Sequence, residues 1–185
     1  MEKRIGVHLG TAGGASNAVE RAREIGANSF QIFSSSPRMW RAPRVDPKQA
    51  ERMRALRAVH DVSPLVIHTS YLVNVCSQSN EVREKSIAAF RGEIERALVL
   101  GAEYLVLHPG SWKGLTREEG LKLAADSIKR SIDGLPWQGT MGVEPFRRLL
   151  NDARLAHTAF IAETPVDEPG DEERNVRVLR SLVDH

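Results

Sequence analysis

Three stretches of the chain repeat one pattern, a short apolar run that ends on a residue able to bind a cation. Tyr104-Leu-Val-Leu-His108 is followed by Pro-Gly-Ser111, Pro64-Leu-Val-Ile-His68 by Thr-Ser-Tyr71, and Ala159-Phe-Ile-Ala-Glu163 by Thr-Pro165. Apolar runs without polar alternation suit strands buried on both faces, as in a parallel sheet, and the Pro-Gly after His108 forces a turn. Each polar residue therefore stands where a buried strand opens into a loop. Strand ends bearing His, His and Glu have the form of a metal site at the carboxyl mouth of a parallel sheet.

The segments between these runs read as helices. Ile5-Gly-Val-His-Leu9 is a first short strand, and Ser16 caps a helix with Val19, Ala22 and Ile25 on one face, ending at Gly26. Phe30-Gln-Ile-Phe33 is a second strand, leading into the serine-, arginine- and proline-rich loop from Ser34 to Arg44, with Trp40 exposed on it. Asp46-Pro47 caps a helix that buries Ala50, Met53, Leu56 and Val59, and the third strand ends at His68. A helix from about Glu81 to Leu100 turns Ile87, Phe90, Ile94, Ala97 and Leu98 inward and stops at Gly101; the fourth strand ends at His108. Thr116-x-x-Glu119 is a capping box for a helix burying Leu121, Ala125, Ile128 and Ile132.

The β-α alternation then breaks. The Gly/Pro-rich stretch at 133–139 leads into another helix, with Phe146, Leu149, Leu150 and Ala153 inward, before the strand Ala159–Glu163 and a last helix with Val176, Leu179 and Leu182. The expected fold class is α/β, a single domain over 1–185 of TIM-barrel-like parallel β/α units, with about five strands and about six helices where a closed barrel has eight strands.

Composition narrows the function. The 185 residues suit one domain, and 27% are charged with a net charge of +2, which excludes a strongly basic nucleic-acid tail but leaves room for a local basic patch. Cys76 is the sole cysteine, so neither a disulfide framework nor a thiolate zinc site is expected, and a cytoplasmic setting fits. No run approaches the roughly 18 apolar residues of a membrane span, so no membrane partner is expected.

His68 and His108 end neighbouring strands about 4.8 Å apart, so both side chains can reach one metal ion; the alternative for each is a histidine hydrogen-bonded to its loop. Glu163, directly after Phe-Ile-Ala, either meets a cation or faces water. Arg38, Trp40 and Arg41 on the serine-rich loop suit phosphate contact and base stacking, though such loops also occur as plain surface. His8 ends a strand among glycines and reads as structural.

These residues carry a resemblance. Ile5-Gly-Val-His8 with Gly13-Gly14, Ser36-Pro-Arg-Met-Trp40, His68-Thr-Ser-Tyr71-Leu-Val-Asn74, Leu107-His108-Pro-Gly-Ser111 and Phe160-Ile-Ala-Glu163-Thr-Pro165 stand in the same order as motifs of the endonuclease IV (deoxyribonuclease IV) family, which the chain resembles from end to end. The resemblance implies a TIM barrel with a trinuclear zinc cluster at its mouth that cuts double-stranded DNA 5′ to abasic sites in base excision repair. It implies His68 and His108 as ligands of a first zinc ion, Glu163 as a ligand of a second, and Arg38 and Tyr71 as side chains that enter the DNA at the lesion. It assigns no side chain as catalytic base; metal-bound hydroxide is the implied nucleophile.

The family's further Asp, His and bridging Glu ligands have no counterpart here. About three β/α units are missing at a junction near 133–139, so the full zinc cluster is not expected to be complete. With the strands ordered last-first-second-third-fourth, Glu163 and His108 lie on opposite edges of an open sheet, roughly 19 Å apart. A homodimer or partner chain covering those edges is the expected remedy. Two other functions stay open: a catalytically inactive DNA-binding or structural remnant of the family, and a metal-dependent sugar isomerase or epimerase, whose barrel class uses similar mouth residues.

Overall fold

A computed structural model of the chain describes residues 4–136. The chain falls into two compact units, Met1–Leu135 and Pro136–His185, and the description below concerns the first. Four β/α units follow one another: β1 (Gly6–His8), α1 (Asn17–Glu24), β2 (Ser29–Phe33), α2 (Pro47–His60), β3 (Leu65–His68), α3 (Asn80–Leu100), β4 (Tyr104–Val106) and α4 (Arg117–Ile132). The strands pair in parallel in the order β1-β2-β3-β4. The result is a TIM-barrel-like but incomplete parallel sheet. The expected fifth strand, Ala159–Glu163, and the helices on either side of it lie outside the described residues.

Register divides the strand residues between two faces. Phe30 pairs with Leu65, and Ile32 with Ile67, which pairs in turn with Leu105. This face is buried against Ala18, Val19 and Ala22 of α1, Ala50 and Met53 of α2, and Ala97 and Leu100 of α3. Each large apolar side chain so enclosed contributes on the order of 1.5–3 kcal/mol. The other face carries two rows, His8-Gln31-Val66-Tyr104 and Phe33-His68-Val106. Packing on both faces thins out at β4: Tyr104 on the second face is 61% exposed, and Leu105 on the first and Val106 on the second are half-buried. The expectation that the fourth strand is buried on both faces therefore fails: among the described residues β4 has one neighbouring strand, where a strand of a closed barrel has two. It is also shorter than expected, ending at Val106. Beyond His68 its partner β3 turns away, and the amide of Thr69 makes the last bond to it, 3.0 Å from the Val106 carbonyl.

Helix ends follow their local sequence closely. Asp46 accepts the Lys48 amide at 3.0 Å with Pro47 behind it, Ser79 caps α3, Gly101 ends it in a left-handed conformation, and Thr116 and Glu119 form the reciprocal capping box. Ser16 differs. It precedes α1, but its hydroxyl donates to Gln49 Oε1 at 2.8 Å instead of capping the helix.

Helix faces depart further from expectation. Ile25, Val59 and Leu98 are exposed, because Ile25 already lies past the last turn of α1, and the stripes of α2 and α3 run through Ala50, Met53 and Arg57 and through Ile94, Ala97 and Leu100. In α4 the buried stripe is Gly120, Ala124, Ser127 and Ser131, one position from the expected one, and Leu121 and Ala125 are exposed. Close approach explains the rotation: a Cβ on Gly120 would lie 2.4 Å from that of Trp112, and the Ser127 hydroxyl donates to the Val75 carbonyl at 2.8 Å.

At the amino-terminal end of the strands Arg57, 8% exposed, acts as a clasp. It donates to the carbonyls of Val62 (3.2 Å) and Gly101 (2.7 Å) and to the Glu103 carboxylate (2.5 and 2.6 Å), which also accepts the Leu65 amide at 2.7 Å. Two stretches distant in sequence, the end of α2 with Val62 and the Gly101–Glu103 approach to β4, meet on one guanidinium.

Candidate metal centre and nucleic-acid interface

The carboxyl ends of the strands gather an aromatic and imidazole cluster. Phe33 is central, its ring centroid 4.6 Å from that of His8, 5.1 Å from His68 and 5.2 Å from Tyr71. The His68 ring lies 5.1 Å from His108 and 6.2 Å from His8. The register sets this grouping, since Phe33 pairs with His68 and His68 with Val106, two residues before His108.

His68 is prepared as a ligand by its own backbone. Its Nδ1 lies 2.8 Å from the Thr69 carbonyl, and because a carbonyl can only accept, Nδ1 carries the proton. Nε2 then keeps the lone pair that a metal needs. His108 is exposed on a turn that is tightly braced: the Pro109 carbonyl accepts the Val75 amide at 2.9 Å and the Cys76 thiol at 3.2 Å, and Asn74 Nδ2 donates to the Ser111 carbonyl at 3.1 Å. Gly110 makes the turn possible, with φ of +92° and Asn74 so near that a Cβ would lie 2.4 Å from its side-chain oxygen. Cys76 is itself buried, burial pushes its thiol pKa up, and its bond to the Pro109 carbonyl serves the turn.

With Zn–N bonds of about 2.0–2.1 Å, two imidazoles on one tetrahedral zinc have ring centroids roughly 5 Å apart, the spacing His68 and His108 show. They fit as part of a site. A catalytic zinc takes three protein ligands, and among the described residues no group of three His, Cys, Asp or Glu side chains converges. Glu163, the expected carboxylate, lies outside those residues.

His8, read from sequence as structural, sits at the same mouth. Gln31 Nε2 donates to its Nδ1 at 2.9 Å, which holds the ring neutral. Burial, and then repulsion from His68, keep its pKa below the ordinary value of 6.5. In an NMR titration the His8 ring is expected to protonate below that value and to move back up, without fully reaching it, in His68→Ala, which removes repulsion but leaves burial. A His8 midpoint unchanged by that substitution would contradict the coupling.

The candidate nucleic-acid side chains lie beside this cluster. Ser36, Pro37, Arg38 and Met39 form a tight turn closed by the Met39 amide on the Ser36 carbonyl at 3.2 Å, with proline at its favoured second position. Arg38 and Arg41 are exposed, while Trp40 is half-buried and lines a groove of about 560 Å³ against α3, contrary to its expected exposure. Ala88, Ala89 and Gly92 of α3 line the same groove. Tyr71 is 72% exposed, its ring edge-on to His68 at 5.8 Å. The Ser70 hydroxyl donates to the Pro37 carbonyl at 2.6 Å and so ties the Arg38 turn to the Tyr71 loop. No helix among the described residues is long and apolar enough to cross a membrane.

Comparison with known proteins adds an independent line. Residues 19–136 match the family model described as the xylose isomerase-like TIM barrel. The chain is 33% identical to a probable endonuclease 4 of Solibacter usitatus, covering 97% of this chain and 96% of that protein. That match extends over 279 positions against a chain of 185 residues, so a long stretch of the relative has no counterpart here. Endonuclease 4 of Thermus thermophilus is 45% identical over 63% of this chain and 44% of its own length, and the chain spans about half the length of most curated relatives it matches. Among solved structures, an endonuclease IV from Thermus thermophilus aligns with a TM-score of 0.60 and 27% identity, covering 97% of this chain and 98% of that one. D-psicose 3-epimerase from Clostridium cellulolyticum, at 13% identity and a TM-score of 0.51 over 70% of this chain and 47% of that one, shares the fold alone.

Proposed function

The chain belongs to the endonuclease IV family of xylose isomerase-like TIM barrels, and on that premise we propose that it is a zinc-dependent phosphodiesterase that cuts DNA 5′ to abasic sites in base excision repair. The observation that carries the reading is the His68–His108 pair, at a spacing suited to one metal ion and beside an exposed arginine and tyrosine. His68 and His108 would hold zinc; Glu163, which by resemblance is a carboxylate ligand of a second ion, lies outside the described residues. A bound zinc ion supplies Lewis acidity toward the phosphate, stabilising charge on the attacking and leaving oxygens. The chain's own side chains orient the substrate: Arg38 and Arg41 meet phosphates, Tyr71 offers a ring to bases parted at the lesion, and Trp40 supports the loop from its rim.

Pure chain with zinc, mixed with a duplex bearing one abasic site, is expected to incise 5′ to the site above a chelated control. Equal background in both would remove the enzymatic reading. The missing length of relative, and the lack of a third converging donor among the described residues, favour one second reading, an inactive DNA-binding remnant. It predicts salt-sensitive DNA binding that survives His68→Ala with His108→Ala; binding lost together with metal would exclude it. The 61% exposure of Tyr104 on β4, an edge strand among the described residues, supports a second copy across it, which would appear as dimer mass in solution; a monomer at all concentrations would refute that contact.

A further inference from the structure

Behind the Arg38 turn lies a polar triad built on the buried Glu93, with Ser34 and Arg96 half-buried around it, that the proposed chemistry does not use. Ser34, the first residue after β2, donates its hydroxyl proton to Glu93 Oε2 and accepts from Arg96 Nε at 2.8 Å, while Arg96 Nη2 lies 3.1 Å from the same Glu93 oxygen. Glu93 is 3% exposed, and the Arg96 side chain is 11% exposed. Three bonds close a ring, and each fixes the direction of the next. An ion pair at this depth carries a desolvation penalty that apolar packing between α3 and the loop would avoid; what apolar packing lacks is directionality. The loop has a second anchor at its tip, where Ser70, 5% exposed, holds the Pro37 carbonyl. The turn that presents Arg38 itself carries the second anchor, and beyond it Trp40 to Arg44 line the groove against α3.

We propose that Ser34, Glu93, Arg96 and Ser70 are positioning residues that pin the Ser36–Met39 turn at base and tip, so that Arg38 and Tyr71 meet DNA as one pre-set unit. The DNA side of this inference rests on the proposed function; the pinning does not. Two readouts separate them. Arg38, Arg41 and Arg44 are exposed trypsin sites within the loop, and Arg117, at the start of α4, is a site outside it. Ser34→Ala is expected to speed cleavage at the three loop sites about tenfold relative to Arg117, as the loss of its two part-buried hydrogen bonds implies, with Ser34→Thr restoring the wild-type rate. Ser70→Ala, which leaves the triad intact, should do the same from the other anchor. In parallel, Ser34→Ala should lower the preference for abasic over intact duplex about tenfold while leaving intact-duplex binding unchanged.

Loop cleavage at wild-type rates in both variants, or a rise shared equally by Arg117, overturns the pinning with the DNA reading untouched. A wild-type chain that binds both duplexes alike overturns the DNA reading, and with it the positioning role, whatever trypsin shows.

Discussion

Arg57→Ala is expected to lower the stability of the described unit by about 3 kcal/mol, read as a fall in the urea midpoint at constant slope. The guanidinium serves the Val62 and Gly101 carbonyls as well as Glu103, so truncation leaves two backbone acceptors without their donor and opens a gap between α2 and the start of β4. The ion-pair share is discounted, because the Glu103 side chain is 44% exposed and water can replace part of what it loses. Arg57→Lys should recover only a fraction. An ammonium reaches one or two of these acceptors, whereas the planar fork reaches all of them at once. An unchanged urea midpoint in Arg57→Ala would show that the clasp adds nothing to the fold.

His68→Ala and His108→Ala are each expected to reduce metal-dependent incision by at least ~100-fold, since even partners that merely orient a ligand are worth roughly 10- to 100-fold in affinity or activity. The two substitutions differ in what else they disturb. His68 is half-buried and bonded to the Thr69 carbonyl, so its removal can loosen the cluster around Phe33. His108 is exposed on a turn braced by Val75, Cys76 and Asn74, none of which touches its ring through the bonds that hold the turn. His108→Ala should therefore unfold at the wild-type temperature while losing incision. Loss of both stability and activity in that variant would reassign His108 to a structural role.

The parts of this fold that were legible in the sequence are those decided locally. Apolar runs closed by turn residues locate the ends of the second and third strands, Asp46-Pro47, Gly101 and the Thr116–Glu119 box locate helix ends, and the strand-end pattern singles out His68 and His108, whose rings lie 5.1 Å apart. What the sequence hid is set by distant partners. Arg57 and Glu93 look like solvent-facing charges on helices; Arg57 is buried by Glu103, 46 residues away, and Glu93 by Ser34, 59 residues away. The rotation of α4 depends on Trp112 pressing on Gly120, which no helical periodicity records. His8 shows a different limit: its glycine surroundings suggested a structural role, and only the pairing of β1 with β2 brings it beside Phe33 and His68. A signal was present in the repeat of strand-end histidines, of which His8 is the first.

The account stands on His68 and His108 sharing one divalent metal ion, and zinc content per chain after dialysis, measured by elemental analysis for the wild type and for His68→Ala with His108→Ala, tests it most directly. The predicted result is zinc retained by the wild type and reduced to background in the double variant, with both proteins folded. Equal zinc in the two proteins, or none in either, would contradict it.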